Sequence, residues 1–433
     1  MTPEARVAAA IELVEAVQAQ PRRPADAIVA EFFRARRFIG GGDRRAVSDL
    51  GWGVLRQVIR LRWHAGEGAS ARALVLAQLL LVERRRPTDV LKLFEAGQYG
   101  PPPLEAGERR LVERLSGREL LDPDMDDSAR VNLPGWALPG LAARFGARLA
   151  EEAAAMERAA PLDLRANALK GTREEARAAL LREGIAAEPT PLSPVGLRLG
   201  ARTPIAGLAA YKEGLVEVQD EGSQLIAALC GAGPGMRVVD LCAGAGGKTL
   251  ALAAAMGNSG RITACDVNAP RLEGAGKRLR RAGVHNAETH LLAQGDRWAK
   301  RRAGTFDRVL VDAPCTGSGT WRRNPDARTR TTERDLSELI GKQGEILAMG
   351  AQLVRPGGSL IYATCSLLPE EDERQVDHFL DRHPDFAAVP LGAAWARAGL
   401  PGPPPLEGPH LLLSPASHGT DGFFCAVLDR RAP

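Results

Sequence analysis

No stretch of this chain is apolar for long. The longest run, Leu74 to Val82, is interrupted by Gln78 and falls far short of the roughly 20 residues a spanning helix needs, so no membrane association is expected. The opening Met1-Thr-Pro-Glu-Ala-Arg6 has no apolar core ahead of a small-residue cleavage site, and a cytoplasmic protein is the expectation. Cysteine is scarce and lopsided: all six (230, 242, 265, 315, 365, 425) lie beyond the midpoint, with no Cys-x-x-Cys pair and no Cys/His cluster. That spacing argues against a zinc site, and no metal is expected. In a reducing compartment the six remain thiols. Charge of one sign is not in large excess: the net charge is +4 over 433 residues, so composition alone does not identify a nucleic-acid binder. Nearly every basic residue is arginine, and alanine and glycine are abundant, a bias that weakens any argument from arginine counts. There is no internal repeat.

What remains is a globular composition, 45% hydrophobic and 25% charged, in a chain long enough for two or three domains. Residues 1–130 read as an all-helical domain. Val7, Ile11, Val14 and Val17 fall on one helix face, and Leu50, Val54 and Val58 repeat the spacing behind a candidate Ser48-Asp49 cap. Leu74 to Val82 is apolar nearly all round, as a central buried helix would be. Tyr99-Gly-Pro-Pro-Pro103 breaks the pattern, and Asp122 to Asp127 reads as a loop. Residues 131–215 read as a small α/β module. Leu162, Leu164 and Ala166 alternate like a half-exposed strand, and Thr172 with Glu175 forms a capping box ahead of a helix through Ala176 and Leu180.

From 216 to 433 strands and helices alternate. Strands are predicted at 237–241, 262–267, 290–293, 306–313, 359–364 and 423–428. Helices are predicted from Lys248 onward, over 271–282, and from Pro369-Glu370 with its acidic first turn. This is an α/β pattern, a doubly wound and mainly parallel Rossmann-like sheet, whose ligands belong at the carboxyl ends of the strands.

The turn after the first of these strands reads Cys242-Ala243-Gly244-Ala245-Gly246-Gly247-Lys248. Its glycines admit close backbone approach, and the helix that follows favours negative charge at its start. Asp266 ends the next strand, where a carboxylate holds ribose hydroxyls. Asp296 is predicted to end the third, where it could accept from an adenine amino group. A phosphate-loop ATPase needs a longer gap before its Gly-Lys-Thr. Two ligand carboxylates suit S-adenosyl-L-methionine, which carries no phosphates, better than a nucleoside triphosphate.

Two later strand ends carry thiols, Cys315 in Asp312-Ala-Pro-Cys and Cys365 in Tyr362-Ala-Thr-Cys-Ser366. Thiols there suit methyl transfer to a carbon that is not nucleophilic on its own, such as carbon 5 of cytosine. Addition of a thiolate to carbon 6 makes carbon 5 an enamine carbon; afterwards the carbon-5 proton must leave and the thiol be expelled. Asp312 could accept from the exocyclic amine if ionised, or donate to ring nitrogen 3 if protonated. Amino-group methyltransferases share an acidic-Pro motif at this strand end but need no thiol.

In combination, Asp240-Leu-Cys-Ala, Gly246-Gly-Lys-Thr249, Asp312-Ala-Pro-Cys-Thr-Gly-Ser-Gly319, Arg323-Asn-Pro-Asp326, Tyr362-Ala-Thr-Cys-Ser366 and Asp421-Gly-Phe-Phe424 resemble the Nol/Nop/Sun RNA cytosine-5 methyltransferases. The start of the chain, with Gly42-Asp-Arg-Arg45 and Leu50-Gly-Trp-Gly-Val-Leu55, resembles the NusB-like domain of the RsmB (Sun/Fmu) branch, which acts on small-subunit (16S) ribosomal RNA. The resemblance implies that Cys365 is the nucleophile and Cys315 the helper that releases methylated RNA. It also implies cofactor contacts at residues 242–248, Asp266, Asp296 and Asp312, and an RNA-binding role for the middle module. The chain departs from the family pattern where a proline usually precedes the paired glycines, and at Thr329, where many members carry tryptophan.

The target cytosine must be unpaired or leave its stack to reach the thiol. Trp321-Arg-Arg323, directly after the catalytic loop, is the expected RNA contact, whereas Lys277 to Arg281 reads as a solvated helix face. Oligomeric state is open, with a monomer favoured. Rival readings are the same chemistry on tRNA or large-subunit rRNA, and a non-catalytic RNA-binding assembly or antitermination factor.

Overall fold

A computed structural model describes residues 1–95, 97–200, 203–293 and 295–432; Ala96, Ala201, Arg202, Gln294 and Pro433 lie outside the described residues. The chain divides into two compact units, 1–158 with 320–333, and 159–319 with 334–433.

The first unit is helical. Thr2 caps the helix Pro3–Gln18, which buries Val7, Ile11 and Val14. The next expected cap fails: the helix Gly41–Arg56 starts at Gly41 behind an extended Gly40, so Ser48 and Asp49 lie inside it. Asp43 in its first turn supplies the acidic start, accepting from Arg6 at 2.7 Å. Leu74 to Val82 is buried as its composition requires, but splits into an α-helix Ala71–Ala77 and a π-helical turn Gln78–Val82. Gln78, the polar interruption, occupies the space that a Cβ at Gly53 would need. Helices continue past residue 130, through Leu138–Phe145 and Leu149–Glu157.

The segment 320–333 belongs to this helical unit. Trp321 and Arg322 are buried, which corrects the expectation that they face RNA. Arg328 is buried too, and its terminal nitrogens donate to the carbonyls of Arg56 (3.2 Å), Asn132 (3.4 Å) and Met156 (2.8 Å). The Trp321 ring packs edge-on against Trp136, and a guanidinium with three carbonyl acceptors is what a packed interior retains.

The second unit opens with a small antiparallel sheet of β1 (Leu162–Ala166), β2 (Ala187–Pro189), β3 (Gly196–Leu199) and β4 (Val216–Val218), ordered β2-β3-β1-β4. The capping box at Thr172 and Glu175 starts the helix Arg173–Arg182 on one face. β1 is not half-exposed as its alternation suggests: Asp163 and Arg165 are buried because the helix Glu221–Leu229 packs on β1. Gln224 of that helix donates to the Leu164 carbonyl at 3.2 Å. The two charges are satisfied inside, Asp163 by Arg198 at 2.7 Å and Arg165 by Gln219 at 2.7 Å.

Then come β5 (Arg237–Leu241), β6 (Arg261–Asp266), β7 (Ala287–Leu291), β8 (Phe306–Asp312), β9 (Val354–Thr364), β10 (Phe386–Ala388), β11 (Leu411–Leu413) and β12 (Phe423–Arg430). Among the described residues they make one sheet ordered β10-β12-β9-β8-β5-β6-β7, with β11 paired to β12. β5 to β9 run parallel, and β12 runs antiparallel to β9. The central strands read as apolar runs because both faces are covered: Val238, Val239, Val309, Val311, Leu360 and Ile361 are fully buried. The third strand starts three residues earlier than predicted. β7 is an edge strand with an exposed, polar pattern, so only its apolar end was readable. The last predicted helix also starts later, at Glu373, because Glu371 and Asp372 are engaged elsewhere. No described helix is long and apolar enough to cross a membrane.

Candidate active site

β5, β6, β8 and β9 deliver the 242–248 turn, Asp266, Asp312, Cys315 and Cys365 from their carboxyl ends. After β5 the backbone turns through left-handed conformations at Cys242 (φ +62°), Gly244 (+55°) and Gly246 (+76°) before the helix Gly247–Ala255 begins. A Cβ at Gly244 would meet nothing within 4 Å, so bare backbone borders open space there. Asp266, at the end of β6, braces the turn: its carboxylate accepts from Gly244 N at 2.8 Å and Asn268 N at 2.8 Å. Asp296 is not a strand end. It lies in the loop beyond β7, where it pairs with His290 at 2.6 Å and caps Trp298 N at 2.8 Å. The His290 hydrogen bond holds its carboxyl below the usual range. Bare turn backbone beside open space, a braced carboxylate at the next strand end and an ion pair behind them fit a zwitterionic nucleoside cofactor.

That ion pair is Lys248–Asp312, at 2.7 Å. Burial works against the Lys248 charge, but Asp312 and then Asp240 outweigh it and raise its pKa. Asp240 is fully buried on β5; Thr249 Oγ1 donates to one of its oxygens at 2.6 Å, and the other has no partner. Burial pushes this carboxyl from 3.8 up to about 7. With a folded pKa above the unfolded one, its contribution is fully present below about pH 4 and lost as pH rises through 7, on the order of 4 kcal/mol in total. Asp240→Asn keeps the acceptor for Thr249 and removes the titration. Urea denaturation at pH 4.5 and 7.5 should show a smaller loss of stability on raising pH in the variant than in the wild type.

The two thiols are 50 residues apart in sequence. β8 and β9 are neighbours, with Asp312 opposite Ala363, and their ends bring Cys315 Sγ within 3.4 Å of Cys365 Sγ. The hydrogen bond to the Cys365 sulfur, reinforced by burial, pushes the Cys315 thiol well above its ordinary pKa. Cys315 therefore keeps its proton and can donate it toward Cys365. Of the other cysteines, Cys230, Cys265 and Cys425 are buried fillers, Cys242 lies half-buried in the turn after β5, and burial pushes Cys230 and Cys242 up to about 12.

A network that sequence reasoning missed joins the two thiol loops. Glu371 is fully buried and accepts from Thr316 N (2.8 Å), Thr316 Oγ1 (2.5 Å), Ser366 Oγ (2.6 Å) and Gln343 Nε2 (3.0 Å). Thr316 follows one thiol and Ser366 the other. Burial raises the Glu371 pKa against these four donors. Pro369-Glu370-Glu371 looked like a helix start, which hid it. The tail adds a second tie, since Gly319 N donates to the Cys365 carbonyl at 3.0 Å and Gly422 N to the Gly319 carbonyl at 2.8 Å. A Cβ at Gly319 would collide with the Gly422 backbone. The structure thus joins Lys248 to Asp312, Cys315 to Cys365, and Gly244 to Asp266, whereas Asp296 holds His290 and Trp298. The basic face at 277–281 is partly committed: Arg278 and Arg281 both pair with Glu217.

Residues 231–429 match the family described as 16S rRNA methyltransferase RsmB/F, and residues 133–206 match the RsmF/B-like ferredoxin-like domain. A ribosomal RNA small subunit methyltransferase B from Klebsiella pneumoniae (strain 342) is 32% identical, with 90% of each chain covered. Among solved structures, that of PH0851 superposes with a TM-score of 0.77 over 99% of both chains at 24% identity. A methyltransferase homologue from Pyrococcus horikoshii is 29% identical with a TM-score of 0.60, covering 72% of this chain and 100% of that one.

Proposed function

The chain belongs to the 16S rRNA methyltransferase RsmB/F family, and from that premise we propose that it methylates carbon 5 of an unpaired or flipped cytosine in small-subunit (16S) ribosomal RNA in the cytoplasm. S-adenosyl-L-methionine is the methyl donor, supplying an electrophilic methyl on a sulfonium centre. The 3.4 Å approach of two thiols beside the Lys248–Asp312 pair carries this reading. An amino-group transfer would use a nitrogen lone pair and leave both thiols without a task.

Residues 242–248 and Asp266 would hold the cofactor, with Asp296 as a candidate further out. Asp312, one oxygen of which is engaged by Lys248, keeps lone pairs for the exocyclic amine of cytosine. Cys365 adds through its sulfur to carbon 6, which places electron density on carbon 5. Once carbon 5 carries the methyl, its proton passes to a water molecule, the electron pair of that bond forms the carbon 5–carbon 6 double bond, and the carbon 6–sulfur bond breaks, returning its own electron pair to Cys365. Cys315, protonated and in contact with that sulfur, assists the departure. The base must first leave its stack, at a cost of a few kcal/mol that is smallest in a loop. The antiparallel module, the 131–215 region by our sequence boundaries, would present the RNA ahead of the catalytic core, and residues 1–130 would support that presentation.

Glu371 acts through the thiol loops and is a positioning residue. Glu371→Leu removes both acceptor oxygens and leaves Thr316 N, Thr316 Oγ1 and Ser366 Oγ without the carboxylate they donate to. We expect the rate of adduct formation to fall by roughly 10- to 100-fold, with KM for RNA little changed. Single-turnover kinetics with labelled cofactor would show this, and a pure KM effect would remove Glu371 from the role. The substrate assignment is tested by offering purified 16S rRNA, 23S rRNA and tRNA in parallel. Label confined to 16S rRNA is expected; label confined to either of the others would overturn it.

A further inference from the structure

Glu217, in the middle of β4, is 1% exposed and holds two guanidiniums, Arg278 at 3.1 Å and Arg281. One buried carboxylate is balanced by one countercharge, and Arg281 supplies it. Arg278 reaches further. Its Nε and Nη2 donate to Glu217 at 3.3 and 3.1 Å, while its Nη1 donates to the carbonyl of Ala245, within the 242–248 turn, at 2.8 Å. We propose that Arg278 is a positioning residue that carries the placement of the antiparallel module to this turn and so sets the affinity for S-adenosyl-L-methionine. The inference rests on the reading of residues 242–248 as the cofactor turn.

The module is seated closely on the helix Ala269–Ala282, to which Arg278 and Arg281 belong. Asn167 Nδ2 donates to the Gly214 carbonyl at 2.8 Å and to the Ala282 carbonyl at 2.9 Å. Lys170 Nζ donates to the Arg281 carbonyl at 2.8 Å. Gly214, at φ +72°, lies so near that a Cβ there would collide with that same carbonyl. Displacement of the module is therefore felt along this helix, and Arg278 joins the helix to the turn.

The turn needs holding. It passes through left-handed backbone at Cys242, Gly244 and Gly246, and cysteine is a residue type that rarely adopts it. Asp266 fixes the Gly244 N–H and Arg278 fixes the next carbonyl, that of Ala245. Ala275, one helical turn before Arg278, packs against Gly246, where a Cβ would approach the Ala275 Cβ at 3.0 Å. Without Arg278 the turn samples other shapes, and the apparent affinity falls by the fraction that stays competent. A lysine cannot take over, because a point charge lacks the planar fork that engages a carboxylate and a carbonyl together.

Isothermal titration of S-adenosyl-L-methionine into the full chain, without RNA, reads this directly. Arg278→Met is expected to weaken binding about three- to tenfold, and Arg278→Lys by nearly as much. Arg281→Met removes the same charge from the same carboxylate but no contact with the turn, and should bind within about twofold of wild type. Each of these variants leaves Glu217 one guanidinium, which guards against a folding defect. In methylation assays of Arg278→Met, KM for the cofactor should rise while kcat at saturation stays put. Glu217→Gln should weaken binding by itself and add nothing in the Arg278→Met background, because its effect runs through Arg278. Full affinity in Arg278→Met would overturn the proposal and leave the cofactor turn standing. Equal losses in Arg278→Met and Arg281→Met would also overturn it, since they mark support of the fold alone. Additive losses in the Glu217 and Arg278 variants would break the link between module and turn. No binding by the wild type would instead remove the cofactor reading itself, and this inference with it.

Discussion

Cys365→Ala is expected to abolish methyl transfer, by roughly 10⁴-fold or more, the scale on which enzymes lose activity with a covalent nucleophile. Cys315→Ala is expected to do something different, leaving the adduct-forming sulfur in place and removing the proton donor 3.4 Å away. Covalent RNA–protein complex should then accumulate and survive denaturing electrophoresis. The asymmetry follows from the structure, because the Cys315 thiol is driven toward its protonated form by the neighbouring sulfur and by burial. A protonated thiol is a poor nucleophile and a competent acid. An adduct in Cys365→Ala and none in Cys315→Ala would exchange the two roles.

The second large effect concerns Lys248 and Asp312. Their side chains are 10% and 31% exposed and 2.7 Å apart. Asp312→Ala leaves an ammonium buried without its partner, and breaking a buried pair in this way costs about 3–5 kcal/mol. The same change removes the carboxylate we propose for the base contact, so activity should fall with stability. Lys248→Met, which packs the space without a charge, should cost less, and the double variant should be more stable than Asp312→Ala alone. Urea denaturation of the three proteins measures this. Equal losses in Asp312→Ala and the double variant would mean that the lone ammonium is not the source of the cost.

Much of the catalytic fold was legible because parallel strands covered on both faces read as short apolar blocks. Val309-Leu310-Val311 and Leu360-Ile361 are such blocks, and each ends at a thiol segment. β7 was misplaced because an edge strand has no such signature. The cap at Ser48-Asp49 was misread because cap-type residues also occur inside helices when packing dictates the length, as in Gly41–Arg56. Glu371 was invisible for a different reason. Its four donors come from three separate segments, near residues 316, 343 and 366, and only the folded chain brings them to one carboxylate. The return of 320–333 to the helical unit likewise has no local signal. Trp321 and Arg322 look the same in sequence whether they face solvent or a packed interior, and burial decided between them, whereas Arg323 stays half-buried.

The central claim is carbon-5 methylation of cytosine in 16S rRNA, and the most direct measurement is the identity of the methylated nucleoside. Unmodified 16S rRNA, incubated with the purified protein and isotope-labelled S-adenosyl-L-methionine, would be digested to nucleosides and resolved by mass spectrometry against standards. Labelled 5-methylcytidine is the predicted product. Label in N4-methylcytidine or in a methylated adenosine would contradict the thiol-dependent mechanism.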